Sequence, residues 1–584
     1  NLTVGRGNGA VGDNTALGVN ALANITAGQG LTNTGIGHTA LEDTTTGAQN
    51  TAVGCHAFRN NTSGNYNTGL GRGAGSNNTT GQFNTAIGRF SLSSNQTGSQ
   101  NTAVGSDVLS ANTASNNTGV GTFALMSNTS GTGNVAVGAN ALDANTTGNN
   151  NTTLGLGSLG ACTTGSQNVA VGGLCLDAVT TSTYNTGIGY AAGSALTTGG
   201  FNTILGGNAL TTANTANNNV ALGYNAMNAT TSGAENVAVG FAALDANTSG
   251  TNNVAIGNNA LTSATTASRQ VAIGNAALQN CTTGADNNAL GHGTLGAVTT
   301  GGFNTGLGHS AASALTTGSS NVAIGHSALG SNQTGAFNCA IGRGALSAYT
   351  GDSNVAVGQA SLSNCTTGAN NTGIGVNAGS NVTQGANNTA LGHNSLDDCT
   401  TGDNNTTLGS SAGANITTGS SNNLIGLNAG VNITTGSFNE AIGVNSLNTN
   451  QTGSNNIAMG VNAAMSATGS GNVALGSNTL RGSSNTGNNN VAVGSSALFS
   501  NQSGSDNVAV GAASGNDITT GASNTIIGRT CGSNITTGAG NVGVGMQALN
   551  GVTANNSNTA VGHKTLEQAT GASNTAVGSH AMQV

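Results

Sequence analysis

Hydrophobic residues in this chain keep a register set by glycine. The phrase Asn101-Thr-Ala-Val-Gly105 returns from one end to the other, and its glycine recurs 34 times, at Gly18, Gly37, Gly54, Gly71, Gly88, Gly105 and onward to Gly562 and Gly578. Of the 33 intervals, 27 are seventeen residues, four are sixteen, one is eighteen and one is nineteen. Seventeen residues cannot bury a core alone, so each repeat reads as one coil of a stack. The pattern predicts an all-β parallel β-solenoid of about 34 coils with a 17-residue repeat. An irregular, truncated first stretch covers 1–17, and one continuous rod with an incomplete last coil covers 18–584. At about 4.8 Å per coil the rod is roughly 160 Å long.

Coil 134–150 shows the pattern within a repeat. Val135-Ala136-Val137 alternates as a short strand does. The position just before the glycine is aliphatic in all 34 coils, and we read that row as the continuous core ladder, including Val104, Val137, Val171, Val239, Ile256 and Ile324. The middle position, usually Ala or Gly, reads as a flat face approached by another backbone. Ala139-Asn140-Ala141-Leu142 reads as a second short strand. Its Leu site, four after the glycine, holds Leu, Met or Phe in 25 coils and Gly or Ala in the other nine. Seven of those nine carry an aliphatic three residues later: Leu196, Leu315, Val382, Ile416, Ile433, Ile518 and Ile535. The exchange means that the two positions fill one volume, as close packing requires. Asn four before the glycine recurs in 33 of 34 coils, with Gln270 the exception. An inward amide ladder, including Asn101, Asn134, Asn168, Asn236 and Asn253, explains that row. Asn145-Thr-Thr-Gly148 closes the coil as a turn.

Composition sharpens this picture. Charged residues make up 4% of the chain and Pro is absent. A charge repeated along a ladder would repel its own copies, and Pro would remove a ladder donor. The net charge of −8, with no basic block, argues against nucleic acid. No apolar run approaches the roughly 20 residues of a membrane span, so no membrane insertion is expected within the chain. The sequence starts inside repeat-like residues and ends within a coil. Both ends read as cut, which places signals, caps and anchors outside it. Four of the eight cysteines, Cys162, Cys281, Cys365 and Cys399, share the position seven after the glycine. Cys365 and Cys399 lie two coils apart, roughly 9–10 Å along the stack, too far for a disulfide. They read as small, partly buried residues.

Candidate chemistry is sparse. No catalytic constellation and no phosphate-cradling loop stands out, so neither an enzyme nor a cofactor is indicated. His292, His309 and His326 lie on consecutive coils and read as a short imidazole stack. It could ligate a metal, but an exposed variable row is the preferred reading and no metal is assigned. Tyr66/Phe83 and Tyr184/Phe201 are neighbours on successive coils. Such rings can stack on a sugar, although ring-on-ring stacking accounts for them equally. Asn-x-Thr/Ser turns such as 145–147 and 415–417 fit the glycosylation pattern but also serve the turn. A Thr/Ser row nine after the glycine (Thr46, Ser63, Thr80, Thr97, Thr147, Thr164) raises ice binding as an alternative.

The phrases Asn253-Val-Ala-Ile-Gly257-Asn-Asn-Ala260 and Asn321-Val-Ala-Ile-Gly325-His-Ser-Ala328 resemble the head repeats of YadA-type trimeric autotransporter adhesins and similar repeats of phage and viral tail-fibre proteins. The likeness covers almost the whole chain, although the coils here are longer around the Asn-Thr-Thr-Gly turn. It implies a left-handed parallel β-roll in which three chains associate, with the Ala/Gly row as interchain face. The implied protein is an extracellular, cell-surface or virion-surface fibre segment that mediates attachment to a glycan or receptor. A phage or viral tail fibre for host-receptor binding and a self-polymerising extracellular filament are the alternatives.

Overall fold

Each coil contributes one short strand, normally of three residues, as in Thr102–Val104, Val135–Val137 and Val254–Ile256. Within each unit, successive strands after the first pair in parallel with equivalent residues opposite one another. Val237, Ala238 and Val239 face Val254, Ala255 and Ile256, which in turn face Val271, Ala272 and Ile273. This computed structural model describes residues 3–5, 13–568 and 570–582. No helix occurs among them, so none is long and apolar enough to cross a membrane. The chain divides into two compact units, Asn1–His292 and Gly293–Val584, and each is a parallel β-solenoid built on the same repeat. The boundary falls inside the coil that opens at Gly291, where the repeat carries no sequence signal. At the start of the first unit, Thr3–Gly5 runs antiparallel to Thr15–Gly18, with Thr3 opposite Gly18 and Val4 opposite Leu17. Residues 6–12 of that stretch, and 583–584 of the last coil, lie outside the described residues.

The strand faces the opposite way from the sequence reading. Its middle residue points inward: Ala103, Ala136, Ala170, Ala238 and Ala255 are fully buried. The aliphatic before the glycine therefore points outward. Val104, Val137, Val171, Val239 and Ile324 are only half-buried, and Ile256 is 37% exposed. This expected core ladder is an outer row, and the Ala/Gly row expected at an interchain face lines the coil interior. The reason is volume. The buried Leu of each coil reaches across to the strand, so that a Cβ added to Gly187 would lie 2.9 Å from Cγ of Leu176. So narrow a coil holds one large side chain per level, and the strand must supply a small one.

The expected second strand is a turn instead. Asn140 and Leu142 have φ of 53° and 52°, a left-handed conformation that cannot continue a strand. For Leu this backbone costs about 1–2 kcal/mol, an amount similar to the roughly 2 kcal/mol its burial contributes. Left-handed geometry also explains why Gly replaces Leu here, since Gly193, Gly379 and Gly413 adopt φ of 62°, 61° and 57° without strain. The volume exchange read from the sequence is present. Leu196, Leu315, Val382, Ile416, Ile433, Ile518 and Ile535 are all fully buried. A third participant was not foreseen. Ile204, Leu424 and Ile526 occupy the inward strand position near such glycines, and a Cβ on Gly193 would meet Ile204 Cδ1 at 2.7 Å.

The recurrent glycine has a double cause. Gly240 has φ of 136°, and a Cβ there would lie 2.5 Å from the carbonyl oxygen of Gly257 in the next coil. Both backbone strain and collision with main chain exclude a side chain. Gly240→Ala should therefore destabilise the neighbouring coils by roughly 2–6 kcal/mol, whereas Asn258→Ala, at the exposed next position, should stay within about 0.5 kcal/mol. Amide hydrogen exchange in Val237–Val239 and Val254–Ile256 reads the difference.

Candidate functional site

The Asn row forms the ladder expected of it and also fastens the turn. Asn236 is fully buried. Its backbone N–H and its Nδ2 both donate to Oδ1 of Asn219, at 3.0 and 3.2 Å, and Nδ2 also donates to the carbonyl of Gly250 at 2.9 Å. Its own Oδ1 accepts from the backbone N–H and Nδ2 of Asn253, both at 3.0 Å. Asn101, Asn134 and Asn168 repeat the arrangement on their predecessors Asn84, Asn117 and Asn151. These residues satisfy backbone donors and turn carbonyls that the coil interior would otherwise leave unpaired. They are structural and face no ligand.

A second, shorter amide ladder runs seven after the glycine. Asn78 donates to Asn61 at 2.8 Å, and Asn95 to Asn78 at 2.8 Å. Oδ1 of Asn145, Asn247 and Asn501 is buried without a partner, and the next coils place Cys162, Ala264 and Ile518 there; Oδ1 of Asn95 is also unpartnered, because the Asn112 amide that follows it donates to the Ala114 carbonyl. Cysteine in this row is fully buried, beyond the partial burial expected. Desolvation pushes the thiols of Cys162 and Cys281 up to about 11 and those of Cys365 and Cys399 up to about 12. All eight cysteines are free. Asn145, in one of the Asn-x-Thr turns, is fully buried and donates to Asn128, so its amide is not presented for glycosylation.

The binding candidates lie on exposed rows. His309 and His326 stack at 5.2 Å with their planes 7° apart. His292 closes the first unit and the other two belong to the second. Tyr66 and Phe83 stack at 4.8 Å, and Tyr184 and Phe201 at 5.0 Å, all four exposed and all four with φ near 60°. A further stack that the sequence reading missed, Tyr224 on Phe241 at 6.0 Å, stands one residue after the glycine. Of the adjacent Thr pairs, the first hydroxyl is consumed by the ladder: Thr146 donates to the Thr163 carbonyl at 3.0 Å. The second forms one exposed file, with Thr46, Thr80, Thr97, Thr147 and Thr164.

The largest feature missed is the outer face of the strand. Alternation places the aliphatic before the glycine and the residue after it on the same side. Leu154 and Leu156, Ile188 and Tyr190, and Leu222 and Tyr224 are exposed together in the first unit. Ile374 and Val376, and Met459 and Val461, do the same in the second. A groove opens where the repeat is disturbed. A sixteen-residue coil from Gly460 is followed by an eighteen-residue one from Gly476, and Met465, Arg481, Phe499 and Gln502 line the resulting depression, with Arg481 5.8 Å above the Phe499 ring. No protein family and no curated protein matches the chain. The fold class, a parallel β-solenoid, rests on the parallel strand pairing and the repeat.

Two outcomes follow. Asn236→Ala strands the buried Asn253 N–H and leaves the Gly250 carbonyl with Asn247 as its side-chain donor, at a cost of about 1–3 kcal/mol, and the Asn253 amide should exchange faster while distant coils are unchanged. Because their raised values keep the thiols of Cys162, Cys281, Cys365 and Cys399 protonated at neutral pH, a thiolate-directed alkylating agent should leave them unmodified at pH 7 in the folded chain and modify them on unfolding. Mass spectrometry of the labelled peptides checks this.

Proposed function

We propose that this chain is a structural and adhesive fibre segment, exposed on a cell or virion surface, in which copies of the chain pack side by side. The observation that carries the reading is the outer strand face. Its aliphatic row recurs at every coil, half-buried or exposed, and continues onto exposed Leu156, Tyr190, Tyr224 and Phe241. An apolar strip of this extent is characteristic of an interaction surface. Three chains is the number implied by the resemblance to adhesin heads, with the contact moved from the Ala/Gly row to the aliphatic one. The exposed rings at Tyr66, Phe83, Tyr184 and Phe201 are the candidate surface for a glycan or receptor. A phage or viral tail fibre would use the same architecture. Ice binding has less support, because one exposed Thr file offers a single row of hydroxyls.

Electron microscopy of the native particle, with chains counted in cross-section, tests the assembly. Three chains around one axis is the expected result. A single chain in section would contradict it. The pair Leu222→Glu and Ile256→Glu, on the outer row, should convert the assembly to single chains in sedimentation, while Thr147→Glu on the exposed Thr file should leave it intact.

A further inference from the structure

We propose that His38, Cys55 and His56 form a three-ligand site for a thiophilic divalent ion, with zinc(II) the ion that best fits the set. One ligand atom from each residue lies within 4.8 Å of the others. The repeat produces this convergence. His38 follows Gly37 and Cys55 follows Gly54, so the two occupy the same outward position on successive coils. His56 comes next with φ of 63°, its backbone N–H donating to the His38 carbonyl at 2.9 Å. Its ring meets that of His38 edge-on, 5.5 Å between centroids. No other position one after the glycine carries Cys followed by His.

The surroundings favour ligation. The Thr39 hydroxyl has a single proton and lies 2.8 Å from the His38 carbonyl, to which it donates. The 2.6 Å contact between that hydroxyl and Nδ1 of His56 then requires Nδ1 to carry the proton, and the other ring nitrogen is left with a free lone pair. A hydrogen bond that fixes the tautomer in this way is what orients a metal-binding imidazole. The cations nearby are engaged elsewhere: Arg59 pairs with Glu42 at 3.0 Å, and the Arg72 guanidinium lies 5.6 Å from the Phe90 ring centroid. One thiolate and two imidazoles suit zinc, with water in the fourth position of a tetrahedron. As the S–Zn bond forms, the Cys55 thiol gives up its proton to solvent, so affinity falls as pH falls.

Titration of the intact chain with cobalt(II), followed by zinc(II), tests the site. One cobalt per chain is expected, with a thiolate-to-cobalt charge-transfer band and the intense d–d absorption of tetrahedral coordination, both displaced by zinc. Cys55→Ser should abolish the charge-transfer band, and Cys339→Ser, at the other half-exposed cysteine, should leave it unchanged. Thr39→Val should keep the spectrum while weakening binding about 10-fold. The Cys55 variant should keep the fold, because Ser106 and Ser410 already occupy this position in other coils, and unchanged circular dichroism would verify that. Absence of cobalt binding, or a charge-transfer band that survives Cys55→Ser, would overturn the proposal.

Discussion

In this fold every side chain must tolerate its own copy about 4.8 Å above and below it. That spacing decides which residue each position of the coil can hold. At the recurrent glycine it brings the next coil's carbonyl to 2.5 Å from where a Cβ would be, so nothing larger fits. At the Asn row it places each amide against the next, and a side chain with both donor and acceptor is the one that bonds to itself in both directions. Charges obey the same rule by exception. Several pairs on successive coils are opposite in sign, as in Arg59 with Glu42 and Arg269 with Asp286, whereas Arg72 and Arg89, alike in sign on successive coils, both lie by the Phe90 ring, at 5.6 and 5.3 Å from its centroid. The Arg269 guanidinium holds the Asp286 carboxyl below its ordinary value.

Stacking fixes the axial direction; volume fixes the cross-section. Each coil encloses about one large side chain, and three positions share the task of supplying it. Leu four after the glycine is the usual donor. Where Gly stands there, an aliphatic three residues after it and sometimes a larger inward strand residue take over, as Ile416 and Leu424 do around Gly413. Phe58 extends the rule between coils, since a Cβ on Gly75 in the next coil would lie 2.5 Å from its ring. An interior this small cannot also accept the Val, Ile or Leu of the strand. Those residues are turned outward, and the apolar outer face follows from the narrowness of the core.

Period, strand position, parallel register and the amide ladder were legible in the sequence, because each leaves a residue type in strict register. Coil orientation was not. An alternating Val-Ala-Val triplet shows two faces but not which is inside, and the usual rule that the larger face is buried fails when the coil has no room for it. The left-handed turn was also hidden, because Leu142 gives no sign of a positive φ, although the Asn at positions such as Asn140, Asn259 and Asn394 belongs to a residue type that tolerates one. Of the candidate site residues, the ring stacks were legible from spacing alone. The approach of His56 to His38 was not, since it depends on a backbone turn that no pattern announces.

The cross-section rests on the inward direction of the small strand residue. It is tested most directly by placing cysteine singly at Val254, Ala255 and Ile256 in a chain held as a monomer, and measuring alkylation rates under native conditions. The inward row already accepts Thr153, Ile204 and Thr407, so cysteine fits at 255. Rapid labelling at 254 and 256 with protection at 255 is the predicted result. Protection at 256 with labelling at 255 would contradict it.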